Sequence, residues 1–381
     1  MLKKFISIVL LTVILSLSAG AEEIDITAKS AILVDASNGE VLYEKNPDEK
    51  MPPASITKIM TMLLTMEEID KGRISVDDVV TVSKDAAIKT GSHVFLAENE
   101  QITVNDLLKA VAVASANDGA IALAEYVSGT KESFVEKMNL KAKELGMNNT
   151  NFVNVNGLDV ENHYSTARDI SIMTRELMKH PKIFEYTTIW MDTLRNGTFD
   201  LANTNKLIKF YEGATGMKTG STSKAGYCIS ATAQRNGMNL IAVVMNSEST
   251  KKRFNDASKL LNYGFNSFSS LKLNSKDETV KYANVEKGEK QTVPLIAKDD
   301  LFVTVKSDCK DKIQKTENIP DVVTSPIKKG EKIGEISYKL DGKLLKSVDI
   351  VANEDIPKIS FKFIFMDVLD GFLGINSNNP Q

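Results

Sequence analysis

The chain has 381 residues, 42% of them hydrophobic and 25% charged, a composition that builds a packed core and excludes disordered and collagen-like chains. Its formal charge of −3 lacks the basic excess that a phosphate backbone demands, which excludes nucleic acid as the main partner. The length exceeds one ordinary domain, and the two cysteines, Cys228 and Cys309, are far enough apart in sequence to be expected in different domains and unpaired.

The chain opens on "MLKKFISIVLLTVILSLSAGAEE". Two lysines (Lys3, Lys4), an apolar run from Phe5 to Leu17 and the small residues Ala19-Gly20-Ala21 read as a Sec signal peptide over residues 1–21, cleaved after Ala21. The run is short for a membrane span. Removing the two lysines takes the charge from −3 to −5 (−3 − 2). The protein is expected to be exported.

Next, "SAILVDASNGEVLYEKN" sets two β-favouring runs about Asn38-Gly39, a strong hairpin signal. From Ser55, the residues Ile56, Ile59, Met60, Leu63, Leu64 and Ile69 recur at helical spacing up to Gly72, so Ser55 is predicted at the N-terminus of an apolar helix. The stretch "TVNDLLKAVAVASANDGAIALAEYVSG" is apolar almost all round except at "SAND", which predicts two buried helices meeting at a polar break. Thr166, three residues ahead of Asp169, starts a further amphipathic helix.

From about residue 213 the period changes. "GATGMKTGST", "AGYCISATAQ" and "MNLIAVVMNS" read as three strands, the last two joined by Asn236-Gly237, and "TKKRFNDASKLLNYGFNSF" as a helix returning onto them. Hairpin, helices, meander and helix define an α+β catalytic domain, a sheet flanked by helices, over residues 22–270. Residues 271–356 alternate as short strands with Asp341-Gly342 among the turns, and predict a small all-β sandwich without catalytic residues. In the tail, residues 357–381, Phe361, Ile364, Phe365, Val368, Leu369 and Phe372 form one helical stripe. Asp367 and Asp370 spoil it as a membrane span. Two readings stand: a helix lying on the outer face of the cytoplasmic membrane, which the terminal, aromatic stripe favours, or one docked on the β-domain.

Chemistry has to be found among decoys. The string KTGS occurs at Lys89 to Ser92 and again at Lys218 to Ser221, and Lys-Thr-Gly belongs to a three-part signature with Ser-x-x-Lys and Ser-x-Asn. Ser-x-x-Lys alone is uninformative, since Ser55-Lys58, Ser128-Lys131, Ser221-Lys224, Ser249-Lys252, Ser269-Lys272, Ser307-Lys310 and Ser325-Lys328 all match. Only Ser55 opens a long apolar helix, with Lys58 one turn on along the same face. A lysine serves as a base only when neutral, which burial and a second cation both favour, so another lysine is expected at the site. Ser115-Ala116-Asn117 falls at the polar break; its competitor Ser377-Asn378-Asn379 falls in the polar tail. Around Lys89, "VSKDAAIK" predicts a short helix capped by Ser83 and stopped by Gly91, a coincidental copy. Around Lys218, strand pattern and the glycines Gly216 and Gly220 predict an edge against which a substrate backbone can lie. His93, His163 and His180 have no metal-ligand spacing, and no metal or other cofactor is called for.

Together "PPASITKIMT", "ASANDGAIALAEY", "HYSTARDI" and "GMKTGSTSKAGYC" resemble the blocks of the low-molecular-weight penicillin-binding proteins, the serine D-alanyl-D-alanine carboxypeptidase family. The resemblance spans nearly all of the exported chain, and it implies a penicillin-binding/β-lactamase-like catalytic fold. It further implies Ser55 as the acylated nucleophile, Lys58 as its base, Ser115 as the proton carrier to the departing D-alanine and Asn117 as the group that orients substrate. Lys218 would be the second cation, Thr219 the carboxylate ligand, and the N–H groups of Ser55 and Ser221 the oxyanion hole. Arg253 is either a further carboxylate contact or a solvated helix arginine. The substrates implied are peptidoglycan stem peptides, with β-lactams as covalent inhibitors. A DD-endopeptidase or transpeptidase would use the same residues. A class A β-lactamase would add Glu-x-x-x-Asn, which Glu161, Glu176 and Glu185 do not provide.

Overall fold

The computed structural model describes residues 24–88 and 90–373. The expected signal peptide and Ser377-Asn378-Asn379 lie outside the described residues.

The first hairpin forms as Ser30–Asp35 (β1) and Val41–Lys45 (β2). The three later runs form Ala214–Thr222 (β3), Gly226–Arg235 (β4) and Met238–Ser247 (β5). All five join one antiparallel sheet in the order β2-β1-β5-β4-β3. The last hairpin therefore folds back beside the first, and β3 is left as a free edge. Both faces of the sheet are covered, which is why its inner strands are apolar at successive positions. On one face Ile32, Val34, Ile241, Val243 and Met245 join the core of the helices Lys58–Asp70 (α1), Val104–Val113 (α2), Asn117–Ser128 (α3), Lys131–Glu144 (α4) and Ala167–Leu177 (α5). On the other, Leu33, Leu240 and Val244 pack against Leu260 and Leu261 of Thr250–Ser267 (α6).

The polar break behaves as its residues require. Helix α2 ends at Val113, Ser115 takes a left-handed φ of 62°, and α3 starts at Asn117. Thr166 caps α5 by accepting from the Asp169 amide. Two local expectations are corrected. Ser55 lies in a 3-10 turn, Ala54–Thr57, that precedes α1. The segment after Ser83 makes a single turn, with Ser83 Oγ accepting from the Ala86 amide, and no helix. Helix α4 has no counterpart in the sequence reading, because its only buried apolar residues are Phe134, Met138 and Ala142.

Past α6 the chain is β-rich. Phe268–Asn274 pairs with Leu301–Lys306, and a six-stranded sheet runs from Thr279–Glu286 to Lys343–Ala352 around its own core, which includes Val293, Leu295, Ile336 and Ile350. This sandwich touches the hairpin of the first domain: Thr304 Oγ1 donates to the buried Asp35 carboxylate at 2.7 Å and accepts from Asn38 Nδ2 at 2.8 Å. Cys228 is buried in β4, Cys309 lies in the sandwich, and both are free. The last helix, Phe361–Phe372 (α7), is capped by Ser360. Its Phe361 and Phe372 are 83% and 91% exposed, and Ile364, Phe365 and Val368 are exposed too, so the stripe is not docked on the β-domain. Among the described residues no helix is long and apolar enough to cross a membrane.

Candidate active site

Three elements converge on Lys58, which is fully buried. Its Nζ lies 2.9 Å from Ser55 Oγ, 2.6 Å from Asn117 Oδ1 and 2.9 Å from the Asn156 carbonyl oxygen. The two carbonyl oxygens can only accept. A neutral amine therefore gives both N–H groups to them and is left with its lone pair facing the Ser55 hydroxyl. The neutral form is the favoured one, because burial first and the Lys218 charge second hold the Lys58 pKa well below that of an ordinary lysine. Asp118 works weakly against this.

The second lysine is where the sequence put it. Lys218 is buried on β3, and burial together with Arg253 brings its pKa down to about 7. Its Nζ donates to the Thr219 carbonyl at 2.9 Å, and Thr219 Oγ1 donates to Thr204 Oγ1 at 2.8 Å. Gly220 sits against the nucleophile's turn: a Cβ there would stand 2.8 Å from Ser55 N and 3.0 Å from Ala54 Cβ. Ser221, one residue on, is exposed. Arg253 is 5% exposed, so the solvated alternative is corrected. Its Nη1 donates to the Gly220 and Cys228 carbonyls at 3.2 Å, and burial lowers its pKa to about 10.

Several contributors were not legible. The first KTGS copy is no bystander. The Thr90 carbonyl accepts from Asn117 Nδ2 at 2.7 Å, and the Ser92 carbonyl accepts from the Asn117 amide at 2.7 Å. Asp118, next along, accepts from the Val94 and Leu96 amides at 3.0 and 3.1 Å and ties the same loop to α3. Backbone carbonyls carry no residue signature, so nothing in the residue types marked them. The Ser55 turn has its own brace. Thr57 Oγ1 donates to the Ala54 carbonyl at 2.9 Å and lies 2.8 Å from His163 Nε2, while His163 Nδ1 accepts from the Val153 amide at 2.9 Å. That contact puts the ring proton on Nε2, and burial lowers the ring's pKa to about 4. His163 thus braces the turn that carries Ser55.

A neutral amine beside a hydroxyl, with a second lysine behind it and a strand edge packed against the nucleophile's turn, suits acyl transfer through a serine ester.

Comparison with known proteins agrees with this chemistry. The D-alanyl-D-alanine carboxypeptidase family pattern matches residues 17–249, and that of the penicillin-binding protein 5 C-terminal domain matches residues 268–358. The D-alanyl-D-alanine carboxypeptidase DacF of Bacillus subtilis is 43% identical over 338 residues, 88% of this chain and 87% of that protein. Penicillin-binding protein 5 of Haemophilus influenzae superposes with a TM-score of 0.80 at 34% identity, over 89% of this chain and 100% of the other. Penicillin-binding protein D2 of Listeria monocytogenes, solved in an ampicillin-bound form, gives a TM-score of 0.58 at 36% identity, over 63% of this chain and 98% of the other.

Proposed function

Because this chain belongs to the D-alanyl-D-alanine carboxypeptidase family, we propose that Ser55 is the nucleophile with which it releases the terminal D-alanine of peptidoglycan stem peptides. The chain is a serine-type D-alanyl-D-alanine carboxypeptidase, a hydrolase with a cell-wall role. What carries the residue assignment is the Lys58 amine, hydrogen-bonded on two sides and open toward Ser55 Oγ at 2.9 Å.

In this reading Ser55 Oγ attacks the carbonyl carbon of the penultimate D-alanine and its proton passes to Lys58 Nζ. The oxyanion accepts from the Ser55 and Ser221 amides. The C–N bond then breaks, and Ser115, at the break between α2 and α3, passes a proton to the leaving amine. Water releases the acyl group and restores Ser55. Asn117 orients the substrate amide, Thr219 and Lys218 hold the terminal carboxylate, and Arg253 adds positive charge from behind the strand. β-Lactams acylate the same serine. The enzyme works outside the cytoplasm, and the exposed stripe of α7 rests on the outer face of the cytoplasmic membrane, its apolar side in the headgroup region. Vesicle co-sedimentation that is unchanged when residues after Pro357 are removed would count against that attachment.

The test of the reaction uses diacetyl-L-Lys-D-Ala-D-Ala and labelled penicillin, with wild type beside Ser55→Ala. Release of free D-alanine and penicillin labelling, both abolished in the variant, are expected. Dimerised peptide would select a transpeptidase, and full D-alanine release by Ser55→Ala would reject the nucleophile.

A further inference from the structure

A cavity of about 640 Å³ opens where β3 ends. Ser221, Thr222 and Lys224 line it from the strand and the turn beyond, Tyr227 from β4, and Lys29 and Glu248 from across the end of the sheet. The proposed mechanism gives this cavity a place along the substrate, and the inference rests on that reading. The terminal carboxylate lies at Lys218 and Thr219, and the reacting carbonyl lies level with Gly220, beside Ser55. The retained part of the peptide must then run the other way, past Ser221. At ~3.3 Å per extended residue, the backbone of the stem residue preceding the penultimate D-alanine reaches the level of Ser221 to Thr222, and a long side chain there extends on toward Lys224.

The charges there are unequal. Glu248 is paired with Lys252, one turn on. Asp159, beside the turn, accepts from the Thr222 hydroxyl at 2.8 Å and from the Lys224 amide at 3.4 Å and keeps its charge, which leaves two lysines against one carboxylate. Lys29 and Lys224 have no ion-pair partner among the described residues. A substrate side chain ending in an ammonium alone would face two like charges, whereas one that also bears a carboxylate would supply the missing anion.

We propose that this cavity is the subsite for the third residue of the stem peptide and that it selects a side chain ending in a carboxylate, through Lys29 and Lys224. The experiment compares kcat/KM for D-alanine release from two peptides identical except at that residue, L-lysine in one and meso-diaminopimelate in the other. Two partly exposed ion pairs predict about a tenfold preference for the diaminopimelate peptide. The double variant Lys29→Ala/Lys224→Ala should bring the ratio close to one, and Lys224→Arg should keep most of it. The ratio is internal to each variant, so partial unfolding lowers both rates and leaves it unchanged. Equal use of the two peptides by wild type, preference for lysine, or a ratio that survives the double variant would overturn the subsite and leave the carboxypeptidase reading intact. Absence of release from both peptides would overturn that reading and the subsite with it.

Discussion

The two KTGS segments have the same letters and reach the same lysine, but by different parts of the residue. At Lys218 to Ser221 the segment is a strand edge, and its side chains do the work: the Lys218 ammonium lowers the Lys58 pKa, Thr219 presents a hydroxyl, and Gly220 presents the absence of one, with the Ser55 amide only 2.8 Å from where a Cβ would be. At Thr90 to Ser92 the segment is a loop, and its backbone does the work: the Thr90 and Ser92 carbonyls grip the Asn117 carboxamide and amide. Gly91 between them has a φ of 66°, and a Cβ there would stand 2.7 Å from Asn117 Nδ2. A short sequence match therefore says little until it is known whether side chains or carbonyls face the site.

That distinction has consequences of graded size. The largest is Lys218→Ala, expected to lower kcat/KM for D-alanine release at neutral pH by about 10³, within the range for a disabled general base. Burial remains the main cause of the low Lys58 pKa, but its second cause is removed, so that pKa rises. The base acts when neutral, above its pKa, and the acid-side inflection of the kcat/KM profile therefore moves to higher pH. A loss of activity with an unmoved inflection would mean that Lys218 serves only to hold substrate.

Gly91→Ala comes next, at about 10² in the rate of penicillin acylation, the scale of one misplaced donor or orienting group. The added methyl can be relieved most easily by turning the Asn117 side chain, which costs Lys58 its 2.6 Å acceptor. The left-handed backbone adds a stability loss of about 1–2 kcal/mol. In an Asn117→Ala background the same change should cost no further acylation rate, since the two act as one unit. Full additivity would show that the loop acts by some other route.

What sequence revealed and what it hid follow the same division. Ser55, Lys58, Ser115, Asn117, Lys218 and Thr219 could be proposed because side-chain chemistry is spelled in residue names, and the hairpin Asn38-Gly39, the break at "SAND" and the strands from Ala214 were legible because turns and periods are. The structure brings Ser55 and Asn117 within hydrogen-bonding reach of the Lys58 amine and sets Lys218 behind it. The Asn156 carbonyl on Lys58, the Thr90 and Ser92 carbonyls on Asn117 and the His163 brace on Thr57 were not legible, because each depends on where a loop returns in space. Arg253 was ambiguous for a related reason: a helix position gives no sign that the side chain will turn inward to two strand carbonyls. Helix α4, with one thin buried stripe, was missed because too few apolar positions mark its period.

The smallest effect is the sharpest test of the contrast. Thr90→Val keeps the shape and β-branching of the side chain and deletes only the hydroxyl, while the carbonyl that accepts from Asn117 Nδ2 stays in place. The Thr90 side chain is exposed, so kcat/KM should change by no more than about twofold, the range of ordinary surface substitutions. The matching change on the strand, Thr219→Val, removes the hydroxyl that bonds Thr204 and is assigned to the substrate carboxylate, and it should raise KM for the peptide well beyond that. If Thr90→Val instead matched Thr219→Val, the loop copy would be contributing a side chain to the substrate, and the division between a side-chain edge and a backbone clamp would fail.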